Sequence, residues 1–200
     1  MPENQPNLQK ILDFTLFLDK FRDVLRMVLK NNSERYENDV EHSYMLAMLA
    51  DYIISLENLS LDRDKVLYYC LIHDLVEVYA GDTYKYSTDK ELINSKIQRE
   101  IEAFEKIKSE FPEHKNLLKM IEAYETRLDE ESRFVYALDK LQPVLNIYSD
   151  NGRSWKKGMV KLDQIISSKK DKFKFSPIVE KYWNELRELL EKNQHKLFSQ

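Results

Sequence analysis

Apolar residues recur along this chain at intervals of three and four, the spacing of helices with one buried face. The first such row, Ile11, Phe14, Phe17, Leu18, Phe21, Leu25 and Val28, predicts a helix from about Asn7 to Lys30. A polar connection, NNSERYEN, follows, and Asp39 is placed to cap a helix from Val40 to about Glu57 with His42 in its first turn. The acidic break NLSLDRD leads into a central helix, about Asp64 to Ala80, which Gly81 is placed to end. Thr88 or Asp89 can cap a strongly charged helix reaching about Phe111, with Leu92, Ile93, Ile97, Ile101, Phe104 and Ile107 as its apolar stripe and Pro112 as its stop. Further helices are expected over Glu113–Thr126, Asp129–Tyr148, Trp155–Ser168 and Pro177–Phe198, the second of them kinked or broken at Pro143. No two-residue alternation is long enough for a sheet. The expected fold is an all-α, single-domain helical bundle. Its core spans residues 1–150, and residues 151–200 form a helical extension packed on the same domain.

Composition narrows the function classes. The 200 residues carry a net charge of −4 with both signs interleaved, which gives no basic footprint for polymeric nucleic acid. The N-terminal stretch MPENQPNLQK has no apolar core of the signal-peptide kind, and no run of eighteen apolar residues exists, so neither export nor a membrane span is expected. Cys70 is the only cysteine, which rules out an intrachain disulfide. Together these features predict a cytoplasmic setting. With three glycines and neither GxGxxG nor a P-loop, a glycine-rich phosphate cradle is excluded.

The chemistry concentrates in LIHDLVEVYAGD, residues 71–82. His73, Asp74, Glu77 and Asp82 sit in a segment that otherwise belongs in a core. A buried charge needs an ion pair or a metal to offset its desolvation. On a helix, His73 and Glu77 are four apart and Asp74 and Glu77 three apart, so they share a neighbourhood. Two ligands make a poor metal site, and the apolar helices elsewhere offer two more: His42 in VEHSYMLAMLA and Asp139 in FVYALDKLQPVL. Two imidazoles and two carboxylates suit one octahedral divalent ion with open positions for water or substrate. Manganese, cobalt, iron, nickel, magnesium and zinc are the candidates. The set is not a closed structural zinc site.

EHS at 41–43, HD at 73–74 and the aspartate of ALDK at 137–140 together resemble the HD-domain metal-dependent phosphohydrolases, most closely the 5′-deoxynucleotidase-like branch. RYENDVEHS (35–43), HDLVEVYAGDT (73–83) and the spacing to LDKLQP fit that branch, over roughly Phe14 to Asp150. The resemblance implies metal ligation by His42, His73, Asp74 and Asp139. It implies proton handling by Glu77, and positioning of the water or a substrate hydroxyl by Asp82. It implies a phosphate contact from Arg35, to which Lys140 adds a second positive group. It further implies a helical fold, a small phosphomonoester substrate such as a (deoxy)nucleoside 5′-monophosphate, and a homodimer. The chain departs from the branch in VLRMVLKNN (24–32): Arg26 can stand for an arginine of the nucleotide pocket, but its partner tryptophan is missing, and Asn32 replaces another arginine.

Other readings remain open on sequence. A regulatory module could keep the metal and nucleotide site with little turnover. Alone, His42 reads as a core histidine, Asp139 as an ion-pair partner and Arg35 as a loop arginine. The aromatic run YKY (84–86) can line a substrate entrance or pack on the core. His114 and His195 read as surface residues, which favours one metal ion over two.

Overall fold

The computed structural model describes residues 6–199; residues 1–5 of the N-terminal stretch read above for a signal, and Gln200, lie outside the described residues. Helix α1 (Asn7–Phe21) leads into a two-stranded antiparallel hairpin, β1 (Leu25–Leu29) and β2 (Tyr36–Asn38). Then come α2 (Asp39–Leu56), α3 (Arg63–Ile72), α4 (Glu77–Ala80), α5 (Lys90–Asn94), α6 (Lys96–Glu110), α7 (Lys115–Thr126) and α8 (Glu130–Ser149). The C-terminal part holds α9 (Arg153–Lys157), α10 (Leu162–Lys169), a 3₁₀ turn (Phe173–Phe175), α11 (Pro177–Lys192) and α12 (Gln194–Leu197). The architecture is a single helical domain, as expected, with the hairpin as its one departure among the described residues.

The hairpin corrects the first predicted helix, which stops at Phe21 rather than Lys30. Apolar residues at 21, 25 and 28 fit either period, and the long-range pairing decides between them. Leu25 lies opposite Asn38 and Leu29 opposite Tyr36, with an irregularity between. Asn32 adopts the left-handed conformation (φ 57°) in the connecting turn, which asparagine tolerates. Of the expected buried row only Phe17 and Phe21 are fully buried; Ile11, Leu18 and Leu25 are exposed.

Helix α2 is capped by Asn38, not Asp39. The Asn38 side chain accepts the Glu41 N–H at 2.9 Å, and the Glu41 carboxylate accepts the Asn38 N–H at 3.2 Å, a capping box. Asp39 is thereby freed for the interior, where it is buried.

The predicted central helix is interrupted. After Ile72 the N–H groups of Leu75, Glu77 and Val78 bond three residues back, to Ile72, Asp74 and Leu75. This is the tighter 3₁₀ pattern, in which residues three apart eclipse one another. Gly81 (φ 72°) ends α4. The charged helix divides at Ser95 into α5 and α6. Its stripe is buried at Ile107 but exposed at Ile93, Ile97 and Ile101.

Helix α8 runs unbroken through Pro143. The missing proline N–H costs the bond to the Asp139 carbonyl and nothing else in the helix ladder. Around α8 pack α2, α3, α7 and α11. Its buried side chains include Phe134, Val135, Leu138 and Leu141. Trp155, Ile165, Phe173, Val179, Trp183 and Leu190, all beyond residue 150, are buried in the same core. No described helix is long and apolar enough to cross a membrane.

Candidate metal centre

Three helical segments deliver the cluster. The Asn38 capping box fixes the start of α2 and so aims His42, one turn in, at the middle of α8. There it meets Asp139 and Gln142. The turn between α3 and α4 supplies His73 and Asp74. One ligand atom from each of His42, His73, Asp74 and Asp139 lies within 4.8 Å of all the others. His42, His73 and Asp139 are buried, and Asp74 is nearly so.

Neighbouring groups set the donor atoms. His73 Nδ1–H donates to the Cys70 carbonyl at 2.9 Å, which turns Nε2 toward the cluster. That Nε2 lies 3.0 Å from Asp74 Oδ2 and 3.7 Å from Asp139 Oδ1, yet it makes no well-aligned hydrogen bond although it is buried. His42 Nδ1 lies 3.0 Å from Gln142 Oε1, leaving Nε2 at 3.1 Å from Asp139 Oδ1. Two ring nitrogens and two carboxylates therefore converge from different elements on one point. A divalent cation is the group this donor set fits, since it satisfies the off-line His73 nitrogen and offsets two buried negative charges.

The electrostatics agree. Burial, with the Arg26 charge, pushes His42 down to about 4, so its ring is neutral and ready to ligate. Burial also disfavours charge on His73, but the Asp74 and Asp139 carboxylates outweigh it and raise His73 to about 10. Asp74 is held low against burial by His73 and Arg26. Asp139 is likewise held low, chiefly by Lys140, whose Nζ is 2.5 Å from Asp139 Oδ2.

A second acidic group adjoins the first: Asp39, Asp74 and Glu77. Glu77 is buried, with Oε2 free of hydrogen bonds and Oε1 3.7 Å from the Lys96 ammonium. Burial, then the Asp74 and Asp39 charges, lift its carboxyl well above the ordinary range. Asp82, just past Gly81, is half-buried, and burial raises it too. Burial brings Glu37 and Asp39 up to about 7.

Arg26 of β1 balances this negative charge. Its Nη1 is 2.7 Å from Asp74 Oδ2 and 3.1 Å from Asp39 Oδ1, and its Nε is 3.5 Å from Glu37 Oε1. Arg35 is not brought to the cluster. It is exposed and forks onto the Glu41 carboxylate at 2.6 and 2.8 Å. Lys140 does lie beside the cluster. Neither Glu37 nor Asp39 reads as a site residue from sequence; Glu37 reads as solvated and Asp39 as a helix cap until the hairpin folds both inward. Tyr84 and Tyr86 contact each other edge to face at 5.5 Å, and the Tyr86 hydroxyl is 3.3 Å from Ser168 Oγ on α10. His114 caps α7, its ring accepting the Leu117 N–H at 3.4 Å.

A family model described as HD domain matches residues 18–181. Among curated relatives, the human 5′-deoxynucleotidase HDDC2 is 30% identical over 74% of this chain and 71% of its own length. The mouse 5′-deoxynucleotidase HDDC2 is 32% identical over 57% of this chain, and the match spans 56% of the mouse protein. A solved structure described as a predicted metal-dependent phosphohydrolase, from Magnetospirillum magnetotacticum, superposes with a TM-score of 0.81 at 27% identity, covering 99% of each chain.

Proposed function

This chain belongs to the HD-domain family of metal-dependent phosphohydrolases, and from that premise we propose that it releases phosphate from a nucleoside or deoxynucleoside 5′-monophosphate. The observation that carries the reading is the convergence of His42, His73, Asp74 and Asp139 within 4.8 Å, with two further carboxyls, Glu77 and Asp82, beside them. The names of the human and mouse relatives support the nucleotide substrate.

His42, His73, Asp74 and Asp139 would hold a divalent ion, which would supply Lewis-acid activation of water and of a phosphoryl oxygen. Around it the side chains divide the remaining work. Glu77 has a lifted pKa and one oxygen free of hydrogen bonds, so it can carry a proton to or from the reacting oxygens. Asp82, at the edge of the cluster, can accept a hydrogen bond from a substrate hydroxyl. Arg26 takes the role the resemblance gave to Arg35: its guanidinium already lies among the ligand carboxylates and has the fork geometry that binds phosphate. Lys140 supplies a second positive group for charge that develops in the transition state.

Homodimerisation and a cytoplasmic setting belong to the same proposal. The exposed apolar residues Leu8, Ile11, Leu12 and Leu16 of α1 support the first, and the buried, unpaired Cys70 is consistent with the second.

Phosphate release from a panel of ribo- and deoxynucleoside monophosphates tests the reading. Metal-stripped protein is reloaded with manganese, cobalt, magnesium or zinc in turn. Release is expected with at least one metal, and none from Asp74→Ala. Glu77→Gln should keep metal and lose activity by roughly 10²–10⁴-fold. Metal-loaded protein that turns over nothing in the panel overturns the nucleotide substrate and favours a different phosphorylated substrate or a binding module.

A further inference from the structure

The segment after residue 150 contributes one charged group to the cluster. Lys169, the last residue of α10, donates from Nζ to the Lys140 carbonyl at 2.7 Å. Lys140 in turn holds its own ammonium against Asp139. The Lys169 ammonium is thus anchored on the α8 backbone one residue past Asp139, near enough to Lys140, Arg26 and Asp139 to feel their charges.

Lys169 makes no ion pair with a carboxylate among the described residues. The charges that reach it are mostly of its own sign: Lys140, Arg26 and Lys85 against Asp139 alone. Burial, reinforced by Lys140, lowers its pKa to about 7. A lysine turned inward to a lone carbonyl costs desolvation that a surface position would avoid. An anion arriving between Lys140 and Lys169 would remove that cost.

The position is rigid. Ile165, one turn before Lys169, is fully buried, and Ser168 meets the Tyr86 hydroxyl. Tyr86 belongs to the loop that begins with Asp82. At the other end of this contact the Tyr84 hydroxyl closes on Gly158, where even a methyl group would stand 3.0 Å from it. The Tyr86–Ser168 contact therefore joins the loop that carries Asp82 to the helix that carries Lys169.

We propose that Lys169 is a substrate-binding residue which, with Lys140, receives the phosphoryl oxygens of the substrate, so that residues beyond 150 complete the active site. This rests on the phosphomonoester reading above and adds a residue to it. The ligand class is a monoester dianion or its product, inorganic phosphate. Losing one charge-assisted hydrogen bond to such an anion weakens it by about tenfold or more.

The test compares Lys169→Met and Lys169→Arg with the unaltered protein. Binding of inorganic phosphate is measured by titration calorimetry, and KM and kcat for the best nucleotide of the panel are measured alongside. Metal content and melting temperature are controls. The expected result for Lys169→Met is phosphate affinity down and KM up by about tenfold or more, with metal content unchanged, and recovery of most of the affinity in Lys169→Arg. Phosphate affinity and KM within twofold of the unaltered protein would overturn the proposal and leave Lys169 a brace for the Lys140 carbonyl. If Lys169→Met fails to fold, Lys169→Gln takes its place with the same expectations. The phosphate titration needs no turnover. It decides on Lys169 even if the nucleotide panel shows no activity, in which case the nucleotide-substrate reading fails separately.

Discussion

Protons and metal compete for one nitrogen of His73. Without metal, Asp74 and Asp139 raise this imidazole to about 10 despite burial, so near neutral pH it carries a proton on the nitrogen that faces the cluster. Metal binding has to expel that proton. His42, at about 4, has none to lose. Between pH 7.5 and 9 the affinity for manganese should rise by about tenfold per pH unit, with at least one proton released per ion. Calorimetry in two buffers of different ionisation enthalpy measures the count, and a pH-independent affinity would contradict the assignment. The two histidines also bias metal-free stability in opposite directions. The contribution of His73, whose pKa is raised on folding, is complete below its unfolded value of about 6.5 and is lost as pH climbs through about 10. His42 is depressed on folding, so its cost grows as pH falls from about 6.5 toward about 4. On these two groups alone, metal-free protein should therefore melt highest at about pH 6.5.

Short elements fix ligands that long helices alone would not align. The Asn38–Glu41 box determines where α2 begins and hence where His42 points. Asn38→Ala should cost about 1 kcal/mol of stability, read from denaturant melts, and should weaken metal binding as well because the first turn of α2 frays. The four converging residues stood out in the sequence as polar groups set in apolar helical runs, and the ordered family resemblance tied them together where each alone had a plainer reading. The hairpin was not legible. Phe21, Leu25 and Val28 satisfy a helical period, and only the pairing of Leu29 with Tyr36, seven residues on, selects strands. The charged residues that depend on the hairpin were missed for the same reason. Glu37 looks solvated and Asp39 a helix cap until β2 turns them toward Arg26. The break between α3 and α4 was hidden too, since His73 keeps right-handed helical torsions (φ −58°, ψ −35°) while the hydrogen bonds tighten after it. That tightening eclipses Asp74 and Glu77 and brings the Glu77 carboxyl beside the His–Asp cluster.

At the scale of the molecule, α8 is the central element, packed by α2, α3, α7, α9, α11, β1 and the 3₁₀ turn. It supplies Asp139, Lys140 and Gln142 to the site, and on another side it is covered by α11 and the 3₁₀ turn. A chain ending at Asn151 would leave that side of α8 bare by removing Phe173, Val179, Trp183 and Leu190. Such a truncation should bind a hydrophobic dye, lose cooperative thermal unfolding and take up no stoichiometric metal. A soluble, cooperatively melting fragment that loads one metal ion would show instead that the first 151 residues stand alone. The tie at the far end is close: a side chain at Gly152 (φ 72°) would collide with the Leu197 backbone, so the turn leaving α8 is seated on residues made almost 50 positions later. This contact sets an order of events during synthesis. While Leu197 is still inside the ribosomal tunnel, the turn leaving α8 lacks this seat, although His42, His73, Asp74 and Asp139 have all been made. Firm metal loading is therefore expected only once Leu197 has emerged and docked.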